Sequence, residues 1–303
     1  MKKILVTGAY GFIGRHVAKE CNLQGYYVIG IGHGKWKDNE YYKWGINEWH
    51  ECDITIESLS VFKSDIYAII HCAGGSNVRY SIENPLLDYK KTVMSTLYIL
   101  EYIRNYSINT RLVYVSSAAV YGMANKLPLK EDEILNPISP YGYHKKIAEE
   151  LCKMYAFQYK LNIIIGRLFS VYGNGLKKQL LWDACNKLKN NDLIFWGSGN
   201  ETRDWIHVID AAKYLVQSVE RTDKLCNIIN IASGVNISIS KVLNRLFKYY
   251  GIKQKPVFNG IIDKGNPKDY LADISKIKTW NIGEKISLEL GIKNYIEWYK
   301  QYE

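Results

Sequence analysis

The segment Thr7-Gly8-Ala9-Tyr10-Gly11-Phe12-Ile13-Gly14 constrains this chain more than any other. It follows a short apolar run, Lys3–Thr7, and opens a stretch with helical apolar spacing at Ile13, Val17 and Cys21. Strand, glycine turn and helix in that order predict the first unit of a parallel sheet. The Gly-x-x-Gly-x-x-Gly spacing allows a sharp turn and lets backbone N–H groups at a helix start approach a pyrophosphate. A tight turn with no ligand is the alternative for the motif taken alone.

The same alternation continues. Strand-like runs follow at Tyr27–Ile31, His50–Cys52, Tyr67–Cys72, Leu112–Ser116 and Ile163–Arg167. Helical patterns cover Pro85–Tyr106 and Pro140–Tyr159. Apolar strands alternating with helices predict an α/β fold, a Rossmann-type doubly wound parallel sheet covered on both faces. After about residue 170 the pattern loosens, and Gly and Asn cluster at 172–175 and 197–200. This part is expected to pack onto the sheet as a smaller C-terminal α/β lobe.

Composition removes several classes of function. The net charge is +10, but the basic residues come as isolated pairs such as Lys2-Lys3, Lys90-Lys91, Lys145-Lys146 and Lys177-Lys178. Without a longer basic run or a recognition motif, nucleic acid is not an expected partner, whereas an anionic small molecule is. No apolar run approaches the roughly 20 residues that span a bilayer, so no membrane association is expected. Six cysteines are scattered without a Cys-x-x-Cys pair, and six histidines are dispersed. Free thiols, no metal site and a cytoplasmic location are the expectations.

The glycine spacing resembles that of the short-chain dehydrogenase/reductase superfamily. That resemblance implies a Tyr-x-x-x-Lys pair after the fifth strand, with a serine before it. Two such pairs occur, Tyr141/Lys145 and Tyr249/Lys253. Ser139-Pro140 is a good helix start, so Tyr141 and Lys145 fall on one face of its first turns. Tyr249 precedes a helix end at Tyr250-Gly251 and reads as surface. Ser117 ends the strand Leu112–Ser116 and is placed to meet Tyr141, because parallel sheets bind ligands at strand carboxyl ends. Tyr141 would exchange a proton with a reacting oxygen, Lys145 would ease ionisation of the phenol and bind the nicotinamide ribose, and Ser117 would hydrogen-bond the substrate oxygen.

Longer stretches resemble the extended branch that acts on nucleoside-diphosphate sugars. They are Ser116–Gly122, Ser139–Lys145, Gly166–Gly173, Trp196–Asp210, Asn230–Gly234 and Ala272–Lys276. The resemblance implies a dinucleotide domain of residues 1–170 plus about 208–232, completed by the helix after Val208 and the strand Asn227–Ile231. It implies a sugar-nucleotide lobe of about 171–207 plus 233–303. Implied cofactor contacts are Gly8, Gly11, Phe12, Ile13, Gly14, His33, Lys35, Asp53, Ile54, Cys72, Ala73, Gly74, Tyr141, Lys145 and Leu168. Implied substrate contacts are Ser76, Arg79, Ser117, Ser170, Arg203 and Lys264. A homodimer through the helices Pro85–Tyr106 and Pro140–Tyr159 is implied as well. For Arg203 the alternative is a surface ion pair with Asp204.

Departures from that branch refine the expectation. Ala118-Ala119 stand where its dehydratases carry Asp-Glu, which argues against 4,6-dehydration. Ser170 and Thr92 stand where asparagine is common, and Lys264 where an arginine is common. The second strand runs into Gly32-His33-Gly34-Lys35, with no acid to take the adenosine ribose hydroxyls of NAD. His33 and Lys35 would instead suit a 2′-phosphate, which favours NADP over NAD. Net reduction commonly draws on NADPH. The expected reaction is therefore reduction of the C4 ketone of a nucleoside-diphosphate 4-keto-6-deoxy sugar, with Tyr141 as proton donor. The alternatives are a 4-epimerase with tightly held NAD and, more remotely, a catalytically silent dinucleotide-binding protein.

Overall fold

The computed structural model describes residues 1–63, 65–123, 126–261 and 267–302. In chain order the first part holds β1 (Lys3–Thr7), α1 (Phe12–Leu23), β2 (Tyr27–Gly32), β3 (Glu48–Glu51), α2 (Ile56–Ser60), β4 (Ala68–His71), α3 (Val78–Glu83), α4 (Pro85–Tyr89) and α5 (Ser95–Tyr106). Then come β5 (Arg111–Ser117), α6 (Pro140–Tyr159), β6 (Ile163–Leu168), β7 (Ser170–Tyr172), α7 (Gln179–Lys189), β8 (Ile194–Phe195), β9 (Thr202–His207) and α8 (Val208–Ser218). The chain closes with β10 (Asn227–Ile231), β11 (Asn236–Ser238), α9 (Ile239–Tyr250), β12 (Val257–Phe258) and α10 (Leu288–Tyr302).

Seven strands form one parallel sheet in the order β10-β6-β5-β4-β1-β2-β3. Its central strands β1, β4, β5 and β6 are largely continuous apolar runs because both faces are covered. Ile4 and Val6 join Val17, Val113 and Leu215 on one face, while Leu5 joins Ile69, Ile99, Leu112, Cys152 and Ile163 on the other. This is the expected Rossmann-type arrangement. The chain runs outward from β1 through β2 to β3, then returns to start β4 on β1's other side. The order reverses there, which opens a crevice at the carboxyl ends of β1 and β4.

Two local expectations shift. The third strand is Glu48–Glu51 rather than His50–Cys52. It is a polar edge strand held by pairing with β2 from Ile29↔Glu48 to Gly32↔Glu51, and it carries no apolar period to locate it. The helix Pro85–Tyr106 is a continuous rod, but Lys90–Met94 makes a π turn between α4 and α5. Ser95 and Thr96 hydroxyls donate back to the Lys91 and Thr92 carbonyls, both at 2.6 Å, just after that turn.

Beyond residue 170, β7, β9 and β11 form a separate small sheet, and β8 pairs with β12. Helices α7, α9 and α10 build their own core from Leu181, Leu188, Val242, Leu246, Phe247, Ile292 and Tyr295. No helix of the described residues is long and apolar enough to cross a membrane.

Candidate active site

The glycine loop lies at the mouth of the crevice. Gly8 has φ +64°, and a Cβ there would come within 2.9 Å of the Ala73 nitrogen. A Cβ on Gly14 would lie 2.2 Å from the Gly8 carbonyl oxygen. Side chains at either position would therefore separate α1 from β1 or the loop after β4. Gly11 caps α1 without a side-chain acceptor, so the N–H groups of the first turn, at Phe12 and Ile13, remain available to an anion. Thr7 fastens this corner: its Oγ1 accepts from the Ala73 N–H at 3.1 Å and meets His71 Nδ1 at 2.7 Å. Cys72, Ala73 and Gly74 thus form the opposite wall. The loop is a backbone cradle that fits a dinucleotide pyrophosphate.

Across the crevice, Ser139 caps α6 by accepting from the Gly142 N–H at 3.2 Å, with Pro140 at the first helical position. This start places Tyr141 and Lys145 one turn apart, facing the end of β5. The Tyr141 phenol lies beside the Ser117 side chain, near enough for Ser117 to favour its ionised form. Ser117 is in register with Leu168 at the end of β6. The Lys145 ammonium is buried and donates to the Val115 carbonyl at 2.8 Å. Burial raises the Tyr141 phenol above its ordinary value; the nearby Ser117 side chain lowers it and the Asp88 charge raises it. Burial lowers the Lys145 ammonium to about 8, against opposing pulls from Cys72, Asp88 and Glu149. The three expected residues therefore gather at the carboxyl end of β5. Together they can hold an oxygen and move one proton to or from it.

The Lys145 shift has a consequence for stability. Its folded value lies below the ordinary 10.5, so below about pH 8 the folded chain bears the full penalty of a buried ammonium. That penalty is about 3 kcal/mol, fades between pH 8 and 10.5, and is gone above. Lys145→Met in cofactor-free protein is expected to be more stable than the wild type at pH 7, by up to that amount. The advantage should shrink as pH rises through that window. Denaturant unfolding of both proteins at several pH values checks this, and a pH-independent difference would count against it.

At the adenosine end an acid stands near the loop after β2. β2 ends at Gly32, and the chain after β3 brings Asp53 to His33, Oδ1 to Nε2 at 2.8 Å. His33, the expected phosphate donor, is thus already paired with a carboxylate. Lys35 is exposed. The Arg15 guanidinium packs among the rings of Tyr10, Trp36 and Trp44, 5.1 to 5.3 Å from their centroids. An added 2′-phosphate at His33 would meet the Asp53 charge. Ile54 is half-buried against the core beside α2.

The substrate-side expectations fare unevenly. Ser76 is engaged by Lys178, whose Nζ donates to Ser76 Oγ at 2.8 Å. Lys178 was not expected here; burial lowers its ammonium below the ordinary value. Only its place in a Lys-Lys pair hinted at it. Arg79 instead points to solvent in an i,i+4 ion pair with Glu83 at 3.2 Å. Arg203 donates to the Thr202 and Lys268 carbonyls at 2.7 and 3.0 Å. The alternative partner, Asp204, is buried and occupied by N–H groups of Ser233, Gly234 and Ala272. Ser170 begins β7, opposite Trp205 of β9. Lys264 lies outside the described residues. No cluster of His, Cys, Asp or Glu able to hold a metal occurs among the described residues.

Residues 4–232 match the model of the NAD dependent epimerase/dehydratase family. The chain belongs to that family. Across its length this family member is 31% identical to a UDP-glucuronate 4-epimerase of Thermodesulfobacterium geofontis, covering 98% of this chain and 96% of the relative. Its fold superposes on UDP-glucose 4-epimerase from Thermotoga maritima, solved with UDP-glucose, at TM-score 0.88 and 26% identity, covering 99% of each chain. It also matches UDP-glucuronic acid 4-epimerase from Bacillus cereus, solved with UDP-glucuronic acid and NAD, at TM-score 0.86 and 27% identity. That match covers 99% of this chain and all of the other.

These relatives overturn one expectation and leave another without support. The expected ketone reduction of a 4-keto-6-deoxy sugar is wrong, since the relatives are 4-epimerases. The preference for NADP has no support, since the solved relative holds NAD. Both expectations rested on the acid-free end of β2, near which Asp53, two residues past β3, pairs with His33.

Proposed function

We propose that this family member is an NAD-dependent UDP-sugar 4-epimerase. The observation that carries the reading is the Ser117–Tyr141–Lys145 arrangement facing the glycine cradle. Whole-length similarity to 4-epimerases supports it. NAD would be held by the backbone at Gly8, Gly11, Phe12, Ile13 and Gly14, by Asp53 and Ile54, and by Cys72, Ala73, Gly74, Lys145 and Leu168. Once bound, it supplies a hydride acceptor in one half-reaction and a hydride donor in the other.

The chain's own residues then have distinct tasks. Tyr141 takes the proton of the sugar 4-hydroxyl and later returns it to the opposite configuration. Ser117 holds that oxygen beside the phenol. Lys145 supplies the nearby positive charge that eases ionisation of Tyr141. Arg203, Ser170 and Ser76 contact the sugar nucleotide, with Lys178 added from the structure. The division of labour is residues 1–170 plus about 208–232 for NAD and the remainder for the sugar nucleotide. Pairing of β10 with β6, and packing of α8 beside the α1 face of the sheet, support that division.

The protein is also proposed to be a homodimer in a reducing cytoplasm. The cysteines Cys21, Cys52, Cys72, Cys152 and Cys226 are unpaired thiols. Tyr143, Ile147 and Met154 form an exposed stripe on α6, and Leu86 and Leu87 are exposed on α4. A second copy of this chain would cover that apolar face. Ile147→Glu is expected to give a monomer by sedimentation, with wild type a dimer; a wild type that sediments as a monomer contradicts the assignment.

The cofactor assignment is tested by denaturing freshly purified protein and identifying the released dinucleotide. NAD at close to one per chain is expected. Protein that comes out empty and binds NADPH more tightly than NADH would contradict it.

A further inference from the structure

We propose that Asp88 and His144 form a positioning pair that seats Tyr141 and places a buried carboxylate beside it. Its consequence for turnover rests on the epimerase reading; its geometry does not. Asp88 lies on α4 and is fully buried. Its Oδ2 is 2.6 Å from His144 Nδ1. Its Oδ1 is buried with no hydrogen-bond partner among the described residues. A carboxylate is costly to bury with one oxygen unsatisfied, so packing alone would favour an apolar side chain there.

The pair sits beside the reacting groups. Tyr141, His144 and Lys145 are spaced i, i+3 and i+4 and share one face of α6. Asp88 grips the middle of that face. The Tyr89 ring lies edge-on to His144 at 5.5 Å and closes its other side. The bare oxygen abuts the loop after β4: a Cβ on Gly75 would fall 1.8 Å from Asp88 Oδ1. Gly75 N–H donates to Thr92 Oγ1 at 2.8 Å, and a Cβ on neighbouring Gly74 would lie 3.3 Å from Lys145 Nζ. The pair therefore ties α4, α6 and the Gly74-Gly75 loop into one assembly around Lys145.

Charge gives the pair a second task. From α6 the titratable groups near Asp88 are Tyr141, His144 and Lys145; the π turn contributes the Thr92 hydroxyl, and the loop after β4 contributes the Gly75 backbone and Cys72, which acts with Asp88 on Lys145. α3 contributes Ser81, whose Oγ accepts from the Tyr141 N–H at 3.0 Å. A negative Asp88 disfavours the Tyr141 phenolate and favours the Lys145 ammonium. In a 4-epimerase the same phenol must both take and return a proton, so its affinity must not drift too low. Ser117 pulls it down, and Asp88 holds it up.

The experiment is an ultraviolet phenolate titration of purified holoenzyme, with and without Asp88→Asn, each read as the difference from its own Tyr141→Phe variant. Asp88→Asn is expected to lower the Tyr141 midpoint by about half a pH unit or more. It should lower kcat several-fold with KM unchanged. His144→Ala is expected to lose at least about five-fold in kcat through misplacement. His144→Gln, whose amide can still donate to Asp88, should recover most of it. An unmoved Tyr141 midpoint in Asp88→Asn overturns the proposal, as does a His144→Ala enzyme with wild-type kcat. Should Asp88→Asn fail to fold, the two His144 variants decide. The titration uses no substrate, so it is readable even if the epimerase reading fails.

Discussion

Tyr141→Phe is expected to lower kcat for C4 inversion by about 10²- to 10⁴-fold while leaving the fold and the bound dinucleotide in place. The phenol lies beside Ser117 and shares a helix face with Lys145, so its removal deletes the proton acceptor at the reacting oxygen. Phenylalanine keeps the ring that fills the space beside Ser117. Binding of the sugar nucleotide, measured by calorimetry, should therefore change by no more than about three-fold, because the lost interaction acts mainly in the transition state. Ser117→Ala should have a smaller effect in the same direction, because it removes an oxygen-positioning bond rather than the proton carrier. Retention of more than about a tenth of wild-type kcat in Tyr141→Phe would move the proton transfer to another residue.

The second large effect concerns stability. Glu149 and Arg167 are both fully buried and form a two-pronged ion pair, Nε–Oε1 at 3.0 Å and Nη2–Oε2 at 2.7 Å. Ser116 Oγ donates to Glu149 at 2.6 Å, and Arg167 Nη1 also donates to the Tyr121 hydroxyl and the Glu131 carbonyl, both at 2.9 Å. Tyr121 in turn donates to Asn230 on β10. This network fastens the catalytic helix α6 to β5, β6 and β10, one turn past Lys145. Glu149→Ala leaves a buried guanidinium without its counter-charge and is expected to cost about 3–5 kcal/mol. The paired change Glu149→Leu with Arg167→Met should restore much of that, since no charge is left stranded. Denaturant unfolding of the three proteins checks both statements. A loss under about 1 kcal/mol in Glu149→Ala would mean that water reaches the pair.

The sequence made the core of this fold legible for a physical reason. Strands buried on both faces must be continuous apolar runs, so β1, β4, β5 and β6 announce themselves. The glycines of residues 8–14 are equally readable, because backbone approach there tolerates no Cβ. Ser117, Tyr141 and Lys145 follow from strand-end and helix-start rules. Long-range contacts left weaker traces. The edge strand β3 is polar, so nothing in its local pattern locates it. Asp53 reaches His33 through the pairing of β2 with β3, a contact that the local sequence around either residue does not reveal. Arg79 matched a substrate-contact position, yet Glu83 lies one helical turn away and takes it. Asp88 and Lys178 come from segments far from their partners in the chain. His144 alone carried a local signal, its i, i+3 spacing from Tyr141.

The most direct test of the account is to incubate the purified protein, with no cofactor added, with UDP-glucuronate, UDP-glucose and UDP-N-acetylglucosamine in turn, and to follow C4 configuration by proton NMR. Appearance of the 4-epimer of at least one of them, approaching a fixed equilibrium ratio from either side, is the predicted result. No inversion of any of the three, together with NADPH-dependent consumption of a 4-keto sugar nucleotide, would contradict it.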